Sequence, residues 1–276
     1  MHVFIEFLGR RIPAYGLLIT TGGILANLLA LLFRKKLKID TDNLILLEAY
    51  MLIGALVGSK GLYLITAVPY IEWNRIFEPS YLMLLLQGGF VFYGGLFGGL
   101  AMIFLAGKIH KIDAVYYIKK VIFLCPFAHA FGRLGCFMAG CCYGIPYHGP
   151  GAVVFPENSF AVPGIELFPV QLLESGTLFV ISLILGILTL RFESDYTIET
   201  YLILYGIDRF LLEYLRYDEG RGIYGPFSTS QWISLIAVTA AIVVLILRKR
   251  KKKNDSLQKK DRSESDGNEA DRNQAI

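Results

Sequence analysis

The chain has 276 residues, of which 54% are hydrophobic and only 18% are charged, and its mean hydropathy is +0.51. A soluble domain carries about 25% charged residues, so this composition excludes an ordinary water-soluble globular protein. Ten of the 27 Lys and Arg residues lie between Arg248 and Arg272, so the net charge of +4 arises from a polar tail. A charge confined to a tail argues against a nucleic-acid-binding surface, and no nucleic-acid partner is predicted.

Seven apolar stretches are long enough to cross a bilayer core of about 30 Å, which takes roughly 20 apolar residues per helix. In chain order they cover residues 13–33, 44–69, 81–107, 121–139, 170–190, 199–216 and 230–247. The sixth is the least apolar because it contains several charged side chains. The sequence therefore predicts an all-α polytopic membrane protein with about seven transmembrane helices.

Positive residues are distributed unequally between the two sides of these spans. The breaks after the first, third and fifth spans, together with the tail, hold 19 of the 27 Lys and Arg, whereas segment 140–169 holds none. Because Lys and Arg near span ends stay in the cytoplasm, the N-terminus is predicted outside and the C-terminus inside. Residues 1–247 are interpreted as one membrane domain. Residues 248–276 are interpreted as a basic, disordered cytoplasmic tail, since their polar composition cannot bury a core.

The third and fourth spans carry unusual residues at membrane depth. Three glycine pairs surround Tyr93 in the third span and predict a kink or a close approach of a ligand. In the fourth span, His129, Arg133 and Cys136 are spaced i, i+4, i+7 and therefore share one helical face. Ionisable residues at this depth usually face a cavity or a partner. The alternatives are a substrate site or a packing face with a hydrogen-bonded histidine and a paired arginine.

Three of the four cysteines are close in sequence, namely Cys136, Cys141 and Cys142. Their C-x4-C-C spacing lacks the paired pattern typical of a zinc site. Small apolar packing is the favoured interpretation, with a local disulfide or a metal site as alternatives. No metal and no cofactor are predicted.

The fifth and sixth spans each carry polar residues at helical spacing. Gln171 and Glu174 lie in the first turns of the fifth span, where the alternative to binding is ordinary capping with an exposed glutamate. Arg209, Glu213 and Arg216 are spaced i, i+4, i+7, which predicts one helical face in the sixth span. This face predicts either a structural ion-pair network or a site for a lipid phosphate, because arginine binds phosphate oxygens through a bidentate fork.

These motifs together resemble the bacterial prolipoprotein diacylglyceryl transferase family. The matching segments are AYGLL, GALVGSKGLY, FYGGLFGG, HAFGRLGCFMAG, PVQLLE and DRFLLEYLR, which follow one another between residues 12 and 247. The specific elements are GR-x-G-x-F and R-F-x-x-E-x-x-R. The resemblance implies a seven-span fold in the bacterial inner membrane, with the active site toward the outer leaflet.

The resemblance implies transfer of a diacylglyceryl group from phosphatidylglycerol to the lipobox cysteine thiol of a prolipoprotein signal peptide. The products would be a thioether and glycerol 1-phosphate, and the partners would be membrane lipids and the precursor. Arg133, Arg209 and Tyr93 occupy positions expected to be catalytic. The expected substrate-binding residues are Arg133, Arg209, Glu213, Arg216, His129, Gln171, Glu174 and Tyr15.

The chain departs from the family pattern at several motif positions. Tyr93 replaces a histidine, Cys136 an asparagine and Cys141 an acidic residue, while Lys60 replaces an arginine. Tyrosine is a poorer general base than histidine at neutral pH, because its ordinary pKa is near 10 rather than about 6.5. Two hypotheses follow: a transferase with an unusual acceptor or base, and a non-enzymatic phospholipid-binding or accessory membrane protein of the same fold.

Overall fold

The computed structural model describes residues 3–7, 10–217 and 222–274, with side chains described except at residues 5, 7, 10 and 253–274. The helices within these residues are α1 Ala14–Leu37, α2 Thr41–Ala67, α3 Pro79–Gln87, α4 Phe92–His110, α5 Ala114–Val121, α6 Leu124–Ala139, α7 Val170–Leu190, α8 Thr197–Leu212 and α9 Thr229–Gln274. Short 3₁₀ turns cover Val68–Tyr70, Trp73–Arg75 and Glu213–Leu215.

Six short strands form three antiparallel pairs in the described part of the chain. The strands are β1 Phe4–Phe7, β2 Arg10–Pro13, β3 Val153–Val154, β4 Glu166–Leu167, β5 Ile223–Tyr224 and β6 Phe227–Ser228. The pairs are β1 with β2, β3 with β4 and β5 with β6, and their registers include Ile5 with Ile12 and Val153 with Leu167. The chain folds as two compact units, one of Met1–Leu29 with Ile122–Ile276 and one of Ala30–Val121.

The structure confirms the prediction of a mostly helical protein with apolar helices that can cross a membrane. Five described segments are long and apolar enough to cross a membrane: Ala14–Leu37, Thr41–Tyr70, Phe92–His110, Val170–Leu190 and Thr229–Lys252. α5 and α6 form a sixth candidate, bent by 56°. α8 coincides with the predicted sixth span, but it has only 16 residues and is not among these candidate spans. Seven spans and the orientation therefore stay a prediction.

The predicted third span, 81–107, is broken into α3 and α4. Gly89 adopts a φ of +47°, a left-handed conformation that glycine reaches without steric cost, where the sequence predicted a kink. The Lys60 ammonium donates hydrogen bonds to the carbonyl oxygens of Leu85 and Gly88 at this break. Lys60 thus satisfies carbonyls that the interrupted helix leaves without partners.

Glycines let α2 and α4 pack backbone to backbone in the unit Ala30–Val121. A Cβ added at Gly58 would collide with the carbonyl oxygen of Gly94, and a Cβ at Gly94 would collide with that of Gly58. Gly54 and Gly98 face each other in the same way. Small residues allow such close helix approach in membranes.

Gly58→Ala is expected to destabilise the protein by about 1–3 kcal/mol, because the new methyl group must separate two contacting backbones. Gly61→Ala on the same helix is the matched control, since a Cβ there meets nothing within 4 Å. The measurement is the thermal unfolding midpoint of both variants in detergent. Equal midpoints for the two variants would contradict the close α2–α4 contact.

Segment 140–169, predicted as a long outer loop, contains a small folded core of its own. Tyr143, Phe155, Ala161 and Leu167 are buried together, beside the β3–β4 pair. The segment is also tied to the residues that follow α8, because Ile145 N donates to Leu215 O at 3.0 Å and Tyr217 N to Tyr143 O at 3.1 Å.

The backbone of α9 is helical through Gln274, and the disorder predicted for residues 248–276 stays a prediction. Arg248 pairs with the buried Glu199 of α8, and its guanidinium lies 5.1 Å from the centre of the Tyr196 ring. These contacts fix the helix where the apolar part ends. By sequence the following residues are almost all polar, so they offer no apolar face to bury.

Candidate anion site at α6, α7 and α8

The α6 helix places His129, Arg133 and Cys136 on one face, as their spacing predicts. The helix ends at Gly140, whose φ of +77° gives the left-handed cap that glycine favours. The Arg133 side chain is only 13% exposed. An arginine buried to this degree requires a counter-charge or a ligand.

The counter-charge of Arg133 comes from the first turns of α7. Glu174 Oε1 lies 2.8 Å from Arg133 Nη2. Gln171 and Glu174 are each 1% exposed, so capping with an exposed glutamate is the wrong interpretation. Ser175 Oγ donates to Ala130 O at 3.1 Å and holds the two helices together beside the ion pair.

The second buried arginine lies near the end of α8. Arg209 Nη2 is 2.8 Å from Glu213 Oε2, an i, i+4 pair as the spacing predicts, and the Glu213 side chain is 3% exposed. The single helical face through Arg216 is wrong, however. α8 ends at Leu212, a 3₁₀ turn follows, and Arg216 is extended with φ −91° and ψ 148°.

The change at Arg216 has a tertiary cause. Arg216 forms an isolated antiparallel bridge with Gly144, so segment 140–169 takes the backbone hydrogen bonds that a longer helix would use. Arg216 nevertheless belongs to the same part of the molecule, because its positive charge lowers the pKa of the Cys142 thiol.

Both arginines retain hydrogen-bonding capacity after their ion pairs are made. Arg133 Nε and Arg209 Nη1 are buried and have no hydrogen-bond partner among the described residues. Gln171 donates through Nε2 to Cys141 O at 2.8 Å, whereas its Oε1 is buried with no such partner. Unsatisfied buried polar atoms are costly, so they mark positions where a ligand can bind. Here they offer cationic donors for an anion and one acceptor for a hydroxyl group.

His129 and Tyr15 border this group of side chains. The His129 ring contacts the Tyr205 ring edge to face, with the centroids 5.5 Å apart. Tyr15 is 43% exposed, and a Cβ added at Gly135 would lie 3.1 Å from its Cδ2, so glycine is what permits their contact. The sequence interpretation missed Tyr205, although its position four residues before Arg209 on α8 was an available signal.

Asp208 also belongs to this charged region. Its side chain is hydrogen-bonded to Thr177 of α7, while its Oδ2 is buried without a partner in the described part of the chain. The site therefore holds carboxylates as well as guanidinium groups, and each arginine works beside a negative charge.

Tyr93 and Lys60 belong to the unit Ala30–Val121. Tyr93 is in the first turn of α4, and its ring contacts Phe92 edge to face at 5.6 Å. Lys60 is engaged with backbone carbonyls at the break after α3. A catalytic role for Tyr93 stays a prediction.

The three clustered cysteines converge at the end of α6. The sulfur atoms of Cys136, Cys141 and Cys142 all lie within 4.8 Å of one another. Hydrogen bonds from Cys136 and Cys141 lower the pKa of the Cys142 thiol, and the positive charges of Arg216 and Arg133 lower it further. The favoured prediction of inert apolar packing did not anticipate this convergence.

Apolar helices long enough to cross a membrane, with buried arginines that keep unpartnered donor atoms, are the features of a polytopic membrane protein with a candidate anion site. A family model described as prolipoprotein diacylglyceryl transferase matches residues 2–247. The chain belongs to this family.

Relatives with assigned names agree with this membership. Phosphatidylglycerol–prolipoprotein diacylglyceryl transferase 2 of Clostridium perfringens (strain 13 / Type A) is 34% identical over 86% of this chain and 91% of its own length. The phosphatidylglycerol–prolipoprotein diacylglyceryl transferase of Clostridium tetani (strain Massachusetts / E88) is 33% identical over 87% of this chain and 94% of its own. That of Clostridioides difficile (strain 630) is 31% identical over 88% and 93%.

Proposed function

We propose that this protein transfers the diacylglyceryl group of phosphatidylglycerol to the lipobox cysteine thiol of a prolipoprotein. The observation that carries the proposal is the pair of buried arginines, Arg133 and Arg209, each with one carboxylate partner and one unpartnered donor atom. Such donors suit a phosphate group, the charged part of phosphatidylglycerol. Family membership and the names of the relatives support the same reaction.

In the proposed reaction, the acceptor sulfur attacks the glyceryl carbon that carries the phosphate. A C–S bond forms, the C–O bond breaks, and glycerol phosphate leaves with the electron pair, while the thiol proton passes to a base or to water. Arg133 and Arg209 bind the phosphate oxygens and neutralise the charge that grows on the leaving group. Glu174 and Glu213 orient these two guanidinium groups through their ion pairs.

The remaining side chains of the predicted site are assigned to substrate binding. Gln171 Oε1 is a free acceptor for a headgroup hydroxyl, since its Nε2 is held by the Cys141 carbonyl. Arg216, His129 and Tyr15 are proposed to line the same substrate site. Tyr93 stands where the family pattern has a histidine and is the proposed proton-transfer residue on the unit Ala30–Val121.

Purified protein in phosphatidylglycerol vesicles is expected to release glycerol phosphate when given a lipobox peptide. The measurement is glycerol phosphate in solution, together with the mass gain of the peptide. A peptide with serine in place of the lipobox cysteine is the matched control and should give neither signal. Release that is equal with both peptides would contradict thiol transfer, and no release from well-folded protein would remove the enzymatic assignment.

The departures at Tyr93, Cys136 and Cys141 favour the second hypothesis, a phospholipid-binding or accessory protein without catalysis. That protein would bind phosphatidylglycerol through Arg133 and Arg209 and release no product. Retention of phosphatidylglycerol during purification, with no transfer to the peptide, distinguishes it from the enzyme.

We further propose seven spans, with α8 as the sixth, in the bacterial inner membrane, and an active site toward the outer leaflet. The positive residues at the span ends support this orientation. A reporter fused after residue 250 is expected to read the cytoplasm, and a tag within residues 145–165 the outside. A cytoplasmic signal from that tag would contradict the arrangement, and α8 would be the first span to reject.

A further inference from the structure

We propose that Cys136, Cys141 and Cys142 bind a thiophilic divalent cation of the zinc class, which holds and activates the acceptor thiol. The inference rests on the proposed transfer function and names the group that acts on the acceptor side of that reaction. It differs from the sequence interpretation, in which the spacing of these residues indicated no metal.

The end of α6 explains why two of these cysteines meet. Gly140 N donates to Cys136 O at 2.9 Å and to Phe137 O at 3.3 Å, and Cys141 N donates to Cys136 O at 3.2 Å. This is the Schellman arrangement, in which the side chains on either side of the glycine cap come into contact. In most proteins that contact is hydrophobic, and here both side chains are thiols.

The third thiol is brought in by the backbone at Cys142. Its φ of +57° is left-handed, a conformation that is uncommon for a residue other than glycine. The next residues are held by the tie between segment 140–169 and the residues that follow α8, since Tyr217 N donates to Tyr143 O and Ile145 N to Leu215 O. The turn is therefore fixed from both sides, and strained backbone of this kind is typical of functional sites.

The sulfur spacing fits a metal with small adjustment. Zn–S bonds of about 2.3 Å in a tetrahedral site require sulfur atoms roughly 3.8 Å apart. The three sulfurs lie within 4.8 Å of one another, so closure takes at most about 1 Å along any side of the triangle. A set of three protein ligands is the pattern of catalytic zinc sites, which keep a fourth position for water or substrate.

Two of the three thiols in the cluster are partly exposed, and the cluster lies next to the proposed phosphate site. Cys136 is 8% exposed, whereas Cys141 and Cys142 are partly exposed, which leaves access for a fourth ligand. Arg133 precedes Cys136 by three residues on α6, so their side chains are neighbours on one face. An acceptor thiol bound at the cluster would thus lie beside the arginine that holds the lipid phosphate.

This placement supplies a way to activate the acceptor thiol that does not depend on Tyr93. The acceptor thiol binds the cation as a thiolate and loses its proton to water, since coordination deprotonates a thiol. The thiolate sulfur then forms the C–S bond to the glyceryl carbon as the C–O bond breaks. Glycerol phosphate departs with that electron pair, and the thioether, a weak ligand, leaves the metal.

Cobalt(II) is the probe for the test, because it replaces zinc and its absorption reports thiolate ligands and tetrahedral geometry. Full-length protein in detergent is stripped with a chelator and titrated with cobalt(II). We expect one ion per chain, with binding weakened at least ~100-fold by Cys136→Ser, Cys141→Ser or Cys142→Ser. Cys125→Ser is the matched control on the same helix, because Cys125 contacts Tyr201 and lies outside the cluster.

A lipobox peptide is then added in the absence of phosphatidylglycerol, so the result is independent of the transfer assay. The peptide is expected to shift the cobalt spectrum, and the peptide with serine in place of cysteine to leave it unchanged. Absence of cobalt binding by the stripped wild-type protein overturns the proposal, as does a spectrum that the cysteine peptide leaves unaltered. The mass of the protein is also measured after full reduction and re-purification. A mass lower by two hydrogens indicates that a disulfide has formed again within the cluster, and this result also overturns the proposal.

Discussion

Replacing Arg133 by lysine is expected to slow diacylglyceryl transfer by about 100-fold or more while the protein stays folded. Lysine keeps the positive charge beside Glu174 but loses the planar fork, including the buried Nε that is free for a ligand. Arg209→Lys is expected to act in the same direction, since Arg209 Nη1 is free in the same way. The measurement is kcat/KM for phosphatidylglycerol, with the thermal unfolding midpoint recorded alongside.

The control is Arg191→Lys, an exposed position at the end of α7 that should retain full activity. The prediction separates a phosphate-binding arginine from one that only completes an ion pair. If the activity and the unfolding midpoint of Arg133→Lys fall together, the arginine stabilises the fold and does not bind the phosphate.

Removing the partner carboxylate is expected to have a different and larger structural effect. Glu174→Ala leaves Arg133 buried without its counter-charge, which costs on the order of 3–5 kcal/mol. The variant should be depleted from the membrane, as measured by its abundance and its unfolding midpoint. Glu213→Ala is expected to cost stability for the same reason at Arg209.

The double variant Glu174→Ala with Arg133→Met tests that explanation. Replacing both members by apolar side chains removes the stranded charge, so abundance should recover while transfer remains absent. If Glu174→Ala alone is stable but inactive, the carboxylate acts on the substrate and its role in holding Arg133 is refuted.

Local sequence patterns were enough for the helices and for one ion pair. Apolar length located the helices that can cross a membrane, and i, i+4 spacing located the pair of Arg209 with Glu213, because both signals depend on residues that are close in sequence. The partner of Arg133 is 41 residues away in sequence on another helix, so periodicity could not reveal it. Nor could it reveal the end of α8 before Arg216, since backbone pairing with Gly144 overrides the helical pattern there.

Only part of the cysteine cluster could be predicted from the sequence. Gly140 after a helical stretch indicates a left-handed cap, and that cap alone brings Cys136 and Cys141 together. The contribution of Cys142 depends on its positive φ and on a distant segment that holds the following residues. Sequence spacing is therefore a poor guide to thiol clusters that are built on helix caps.

The pairing of each arginine with a glutamate has a consequence for turnover. A bare cluster of guanidinium groups in a low-dielectric pocket would retain a phosphate monoester, and the leaving product carries more negative charge than the lipid it came from. Glu174 and Glu213 offset the positive charges of Arg133 and Arg209. In the proposed cycle the two carboxylates repel the glycerol phosphate dianion once the C–O bond is broken. The carboxylates that position the arginines for catalysis therefore also limit product inhibition.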